Sequence, residues 1–194
     1  MDFLQARTET PADENADVMM NFYRGFMQIR TLPVPTIAAI NGPAIGAGAC
    51  FAAAADIRMT HTAASIGFTF VKLGLHPGMA ATFRLPQLIG PQAAARLLYT
   101  GEIVTGATAE KLGFVSQALE TPDELHSAAR ELAGSIAKAS SVAVSTLVRT
   151  LREGGDDGLD RAIRHEADAQ AHCYAAPDMK EGLAALREKR APKF

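Results

Sequence analysis

Thr36-Ile-Ala-Ala-Ile-Asn-Gly-Pro-Ala-Ile-Gly-Ala-Gly48 reads as a buried strand, a tight turn and the start of a helix. Thr36 to Ile40 is short and without charge, the composition of a strand buried on both faces. Asn41-Gly42 resembles a hairpin signal, but Pro43 and the alanine run behind it predict a strand-to-helix turn. Ala47 to Ala54 is apolar on every side and predicts a buried helix. Small residues let a ligand approach the backbone, and free N–H groups at a helix start favour negative charge. The turn therefore suits a carbonyl oxygen that becomes an oxyanion. Close packing of helix on sheet accounts for the same residues equally well, and composition does not separate the two.

Outward from this stretch, Asp13 to Ile29 carries Val18, Phe22, Phe26 and Ile29 near helical spacing, closed by Pro33 and Pro35. Downstream, Asp56 to Thr60 and Ser65 to Phe68 read as short strands, and Gly78 to Leu85 and Pro91 to Tyr99 as helices. Thr105 can cap a short helix that Gly113 ends, and Phe114 to Leu119 reads as a strand. The texture then changes. Thr121-Pro-Asp-Glu124 is a capping box for a helix whose Leu125, Ala128, Leu132 and Ile136 share a face. Val144, Leu147, Val148 and Leu151 repeat the pattern, and further helices follow from Leu159 to Tyr174 and from Asp178 to Glu188. Alternating strand and helix followed by helix alone predicts an α/β core over residues 1–120 and a helical region over 121–194.

The chain has 194 residues, 48% of them hydrophobic and 21% charged, which excludes wholesale disorder. A formal charge of −2 gives no electrostatic footprint for nucleic acid or an anionic membrane. Two scattered cysteines, Cys50 and Cys173, exclude a disulfide framework and fit a reducing compartment such as the cytoplasm. Met1 to Arg7 has no apolar core of a signal peptide. Thr31 to Ala55 is uncharged and long enough to span a bilayer, but Pro33, Pro35 and Asn41-Gly42-Pro43 break any single helix there. No membrane segment is expected.

Common site motifs are missing. Phe51 stands where a dinucleotide fingerprint needs its third glycine, and no Walker lysine, nucleophile elbow or zinc-protease helix occurs. His165 and His172 can share a helix face, but no convergent carboxylate or thiol completes a metal site. Cys50 lies among alanines, where a small inert core residue is the ordinary role.

Pro33-Val-Pro-Thr-Ile-Ala-Ala-Ile-Asn-Gly-Pro-Ala-Ile-Gly-Ala-Gly48, followed by Ala55-Asp-Ile-Arg58, resembles the signature of the enoyl-CoA hydratase/isomerase (crotonase) superfamily. The similarity continues through Leu73-Gly-Leu-His-Pro-Gly78, Arg84-Leu-Pro86, Ile89-Gly90, Thr100-Gly-Glu102, Ala109 to Val115 and the tail from Glu181 to Phe194. It covers essentially the whole chain. The resemblance implies a spiral of ββα turns, C-terminal helices that form a homotrimer or a hexamer, an acyl-CoA thioester as substrate, and neither metal nor further cofactor.

It also implies two backbone donors for the thioester carbonyl. By position Ala47 supplies one. The other sits in a Gly-x-Asp loop that Met1-Asp2-Phe3-Leu4 resembles at its end, which puts Met1 at the donor position and Asp2 and Phe3 against the substrate. The family's upstream strands then precede Met1, and the native product is expected to begin before it. The family's two catalytic glutamates fall on Cys50 and Phe70, and Phe70 cannot transfer a proton. Gly78, whose counterpart helps to hold the water, is kept. His76 is the replacement base to consider, with loop packing as the alternative, and Cys50 is a weaker candidate as a nucleophile. Lys189 and Lys193 in the tail are expected to reach the CoA phosphates. The reading that follows is hydratase or isomerase chemistry on an acyl-CoA with a non-standard acid and base; the alternative is a non-catalytic acyl-CoA-binding or assembly subunit.

Overall fold

The computed structural model describes residues 2–156 and 158–194, and the side chains of all of these but Asp2. Helices α1 (Asp2–Arg7) and α2 (Ala12–Met27) lead into β1 (Ile37–Ile40), β2 (Ala44–Ile45) and α3 (Ala47–Ala54). A second turn of the chain gives β3 (Ile57–His61), β4 (Ser65–Gly67), a 3₁₀ turn at Thr69–Leu73, α4 (Ala81–Ile89) and α5 (Pro91–Thr100). The third passes through β5 (Ile103–Thr105), α6 (Gly106–Lys111) and β6 (Gln117–Leu119). One sheet runs β1-β3-β6 and is parallel throughout; the other runs β2-β4-β5, with β5 antiparallel to β4. Each turn thus gives one strand to each sheet, the spiral of a crotonase-like α/β fold.

Local chemistry explains the helix limits. Pro91 opens α5, where its missing N–H costs nothing. The Thr105 hydroxyl accepts from the Thr108 amide and caps α6. The remaining helices are α7 (Pro122–Ala137), α8 (Ser141–Asp156), α9 (Leu159–Ala175) and α10 (Pro177–Glu188). Helix α7 begins with the predicted reciprocal capping box of Thr121 and Glu124.

The core lies between the sheets and the helices. Phe68 and Phe114 meet edge to face at 5.8 Å, both buried, beside Ile66 and Leu85. Helix α2 packs along α9, with Met19, Tyr23 and Met27 buried against a face that carries Ile163, Ala167 and Tyr174. Arg152 of α8 ties the helical region to Asp56 and to the segment that leads into β1. Its guanidinium donates to both Asp56 oxygens and to the carbonyls of Arg30, Leu32 and Val34, at 2.6 to 3.0 Å. Asp56 in turn accepts from the Thr36 amide and hydroxyl. Burial opposes ionisation of Asp56, but the Arg152 and Thr36 hydrogen bonds hold its carboxyl below the usual range.

Several expectations shift. The segment Thr36–Ile40 is a strand, but Ile37, Ala38 and Ala39 are only half-buried, because β1 is the outer strand of its sheet among the described residues. The strand-to-helix turn contains a two-residue strand, because Gly46 N–H bonds to the Gly67 carbonyl at 2.8 Å and draws β2 onto β4. Helix α4 starts at Ala81 rather than Gly78, because Met79 and Ala80 take positive φ. Phe114 to Ser116 is not strand; Phe114 and Val115 turn back onto the Ala109 carbonyl and are buried, while exposed Ser116 bonds to the Arg58 carbonyl. Helix α8 continues through Gly154-Gly155, held at its end by Asp156, which binds Arg30 at 2.6 Å and Arg84 at 3.4 Å. None of the described helices is long and apolar enough to cross a membrane.

Candidate active site

The first turn of α3 is open. Gly46 precedes it at φ 57° and ψ −116°, a conformation closed to residues with a Cβ. Its amide is held by Gly67, and its carbonyl accepts from Cys50 at 3.1 Å. Ala47, Gly48 and Ala49 therefore lie ahead of the helix's own ladder. No side chain caps them, and among the described residues their amides have no acceptor. Ala47 and Gly48 are exposed, and a Cβ on Gly46 or Gly48 would meet open space. The expectation of a helix buried on all sides fails at these residues and at Phe51, which is 43% exposed. The result is a set of unpartnered amide donors at the exposed start of α3, able to stabilise an oxygen on which negative charge develops.

Gly48 and Phe51 also line an apolar hollow of about 290 Å³ with Ile29, Ile37, Ile40 and Ala44. A row of rings leads to it: Phe3 stacks on Phe22 at 5.2 Å, Phe22 touches Phe26 at 4.8 Å, and Phe26 meets Phe51 at 5.7 Å. Phe3 thus joins this aromatic row from α1. Met1 lies outside the described residues, as does the Asp2 side chain.

Neither Cys50 nor Phe70, where the resemblance puts the two glutamates, is an acid. Cys50 is fully buried one turn into α3, and burial, reinforced by Glu166, pushes its thiol well up. Such a thiol is protonated and inert. Phe70 lies half-buried in the 3₁₀ turn against the core. Gly78 sits on the Tyr23 hydroxyl so closely that a Cβ there would collide with the phenol. The structure does not bring His76 to the Ala47 amide. Its ring faces His165 across 6.4 Å, in a cavity that shares no lining residue with the hollow at α3. Its Nδ1 lies 2.6 Å from the Pro77 carbonyl, and burial holds its pKa below the ordinary imidazole value.

Sequence reading missed a buried polar network beneath the Gly78 loop. Tyr23 donates to Gln170 Oε1 at 2.5 Å, and Gln170 Nε2 donates to the His76 carbonyl at 2.7 Å. Glu166 accepts from the amides of Ala80 at 2.5 Å and Thr82 at 2.8 Å, and from the Thr82 hydroxyl. Burial pushes Glu166 up to about 7 despite these donors, and burial with the neighbouring Tyr174 raises Tyr23 far above the phenolic range. A signal was present: Glu166 and Gln170 continue the apolar face of α9 that begins at Ile163, so both must be buried. At the other end, Lys189 and Lys193 are exposed, and Arg190 rather than a lysine fixes the tail, through Glu181 at 2.6 Å and Glu188 at 2.5 Å.

Comparison with known proteins places this geometry. The sequence model of the enoyl-CoA hydratase/isomerase family matches residues 1–194. The chain is 38% identical to the crotonyl-CoA hydratase of Syntrophomonas wolfei, over 87% of this chain and 65% of that protein. It is 34% identical to the short-chain-enoyl-CoA hydratase of Clostridium acetobutylicum, over 85% and 63%. The crystal structure of an enoyl-CoA hydratase from Mycobacterium avium subsp. paratuberculosis superposes with a TM-score of 0.85 at 26% identity, covering 94% of this chain and 73% of that one. The chain thus spans a little under two-thirds of the length of these two curated relatives. With the family model matching the whole chain and the fold superposing on that of a solved relative, the chain belongs to the enoyl-CoA hydratase/isomerase family.

Proposed function

We propose that the protein acts on an acyl-CoA thioester, seating the thioester carbonyl oxygen on the Ala47 amide. The open donors at the start of α3 carry this reading, since they match the charge that develops when a thioester becomes an enolate. The names of the hydratase relatives supply the substrate class. Hydration itself is slow in this chain. Adding water across a double bond needs groups that activate water and deliver a proton, each worth about 10²- to 10⁴-fold. Cys50 and Phe70 occupy both positions. The same observation favours a second reading, an acyl-CoA-binding or assembly subunit without turnover. CoA enters as part of the substrate, and no other cofactor is invoked.

Ala47→Pro tests the reading. Position 47 is the first of α3, where proline fits and only an unpaired N–H is lost. A conjugated enoyl-CoA, whose absorbance shifts to the red when its carbonyl is polarised, should show that shift with the parent protein and lose it with A47P. An unchanged shift in A47P would remove the oxyanion role. Binding with no turnover of any acyl-CoA selects the second reading.

The assembly is a homotrimer or hexamer built through residues 121–194, and the cytoplasm suits its two unpaired cysteines. Helix α8 leaves Val142, Leu147 and Leu151 exposed at 74%, 56% and 67%, an apolar stripe suited to another copy.

A further inference from the structure

Away from α3, the loop ahead of α4 and the first turns of α9 line a second, solvent-open cavity of about 440 Å³. His76, Thr82, Phe83, Gly158, Arg161 and His165 line it. The two imidazoles face each other with ring centres 6.4 Å apart and planes tilted by 37°. His76 Nδ1, held against the Pro77 carbonyl at 2.6 Å, leaves Nε2 as the free nitrogen of that ring. The Arg161 guanidinium belongs to the same wall, and Arg164 flanks it together with His165 and Asp168. Other charged groups nearby are Asp160 on α9 and the paired Arg84 and Asp156. Glu166 binds the Ala80 and Thr82 amides and the Thr82 hydroxyl. Attraction for a ligand in this cavity therefore comes from side chains rather than from the start of α4.

We propose that this cavity is an oxyanion site, in which Arg161 and the two histidines hold a sulfate-, phosphate- or carboxylate-type group. The Arg161 guanidinium supplies charge-assisted donors, and the free Nε2 of His76 adds another when that ring takes a proton, with the His165 ring facing it. Burial and His165 both hold the His76 pKa down in the empty cavity, and a bound anion reverses that penalty. Anion binding and protonation of His76 are thus linked. The group belongs either to a free anion or to the phosphate of a larger ligand such as CoA.

The test uses sulfate, whose charge is constant between about pH 6 and pH 8, while the ring signals of the histidines are followed by NMR. The expected result is that the His76 and His165 signals move along one saturating curve, with His61, His126 and His172 as controls. Affinity should be at least about five-fold higher at the lower pH, and Arg161→Gln should weaken it about five-fold. Arg161 and His165 are exposed, so R161Q and His165→Asn leave the core untouched. Competition by CoA assigns the site to a phosphate-bearing ligand, and its absence assigns it to a small anion; both keep the site. Non-saturating shifts up to about 50 mM sulfate, equal movement of the control histidines, or R161Q binding as the parent does would each overturn it.

Discussion

The Arg152 guanidinium grips both oxygens of the Asp56 carboxylate, at 2.9 and 2.6 Å, across 96 positions of sequence. The arginine side chain is 8% exposed, and it also closes the carbonyls of Arg30, Leu32 and Val34. Arg152→Ala leaves a partly buried carboxylate and three acceptors without this partner. We expect a loss of about 3 kcal/mol in chemical denaturation. The Asp56 carboxyl is held below its usual range, so its contribution is complete above about pH 4 and is lost as pH falls through the lowered value. The gap between parent and variant should therefore narrow on acidification.

Gly78 and the Tyr23 hydroxyl occupy adjoining space. Gly78→Ala should destabilise by about 1–3 kcal/mol through overpacking. Tyr23→Phe should cost about 1–3 kcal/mol by orphaning Gln170 Oε1. Combined, the two should cost somewhat less than their sum, because phenylalanine removes the hydroxyl oxygen nearest the new methyl, while ring carbons Cζ and Cε1 stay in its way. Additive denaturation midpoints would show that the loop moves away instead.

Glu166 has the opposite pH behaviour from Asp56. Its carboxyl stands at about 7 in the folded protein, above about 4.3 in an unfolded chain. The folded state binds the extra proton between these values, so this group's stabilisation is present below about pH 4.3 and is lost as pH rises through about 7. Glu166→Gln turns a donor toward one backbone amide and destabilises at every pH. Measured by thermal unfolding, its penalty should be largest near about pH 4 and smallest near about pH 8.

Leu147 and Leu151 tie the proposed assembly to α8. Leu147→Glu with Leu151→Glu should shift sedimentation toward monomer while helicity holds. A parent chain that sediments as a compact monomer at micromolar concentration would remove the assembly from this helix.

The tail offers a salt-dependent readout. Replacing Lys189 and Lys193 by Gln should weaken CoA affinity at low ionic strength and much less at high salt, because exposed charges are screened within about 10 Å at 0.1 M. Unchanged affinity at low salt would leave the two lysines as a solvated end.

Much of the fold was legible because its signals are local. The uncharged Thr36–Ile40 run, the Thr121–Glu124 box and Pro91 each encode an element through neighbouring residues. The exposure of Ala47 and Gly48 was not legible, because it depends on Gly46 being drawn onto Gly67 from a different segment. Nor was the setting of His76, since its neighbour His165 lies 89 positions later in the chain, on α9. Arg152 carries no local sign of its burial; packing against Asp56 and the segment ahead of β1 makes it an internal partner.

Gly46 is anchored twice, by its amide on β4 and by its carbonyl under Cys50. The direction of the next peptide is therefore fixed by the same pairing that joins two strands of the second sheet. Its conformational freedom is already gone when the chain folds, so ligand capture there needs no ordering of this turn. Hydrogen exchange should show this as an Ala47 amide that is open to solvent while its flanking strand amides are protected. The turn's orientation should then persist until that sheet itself opens.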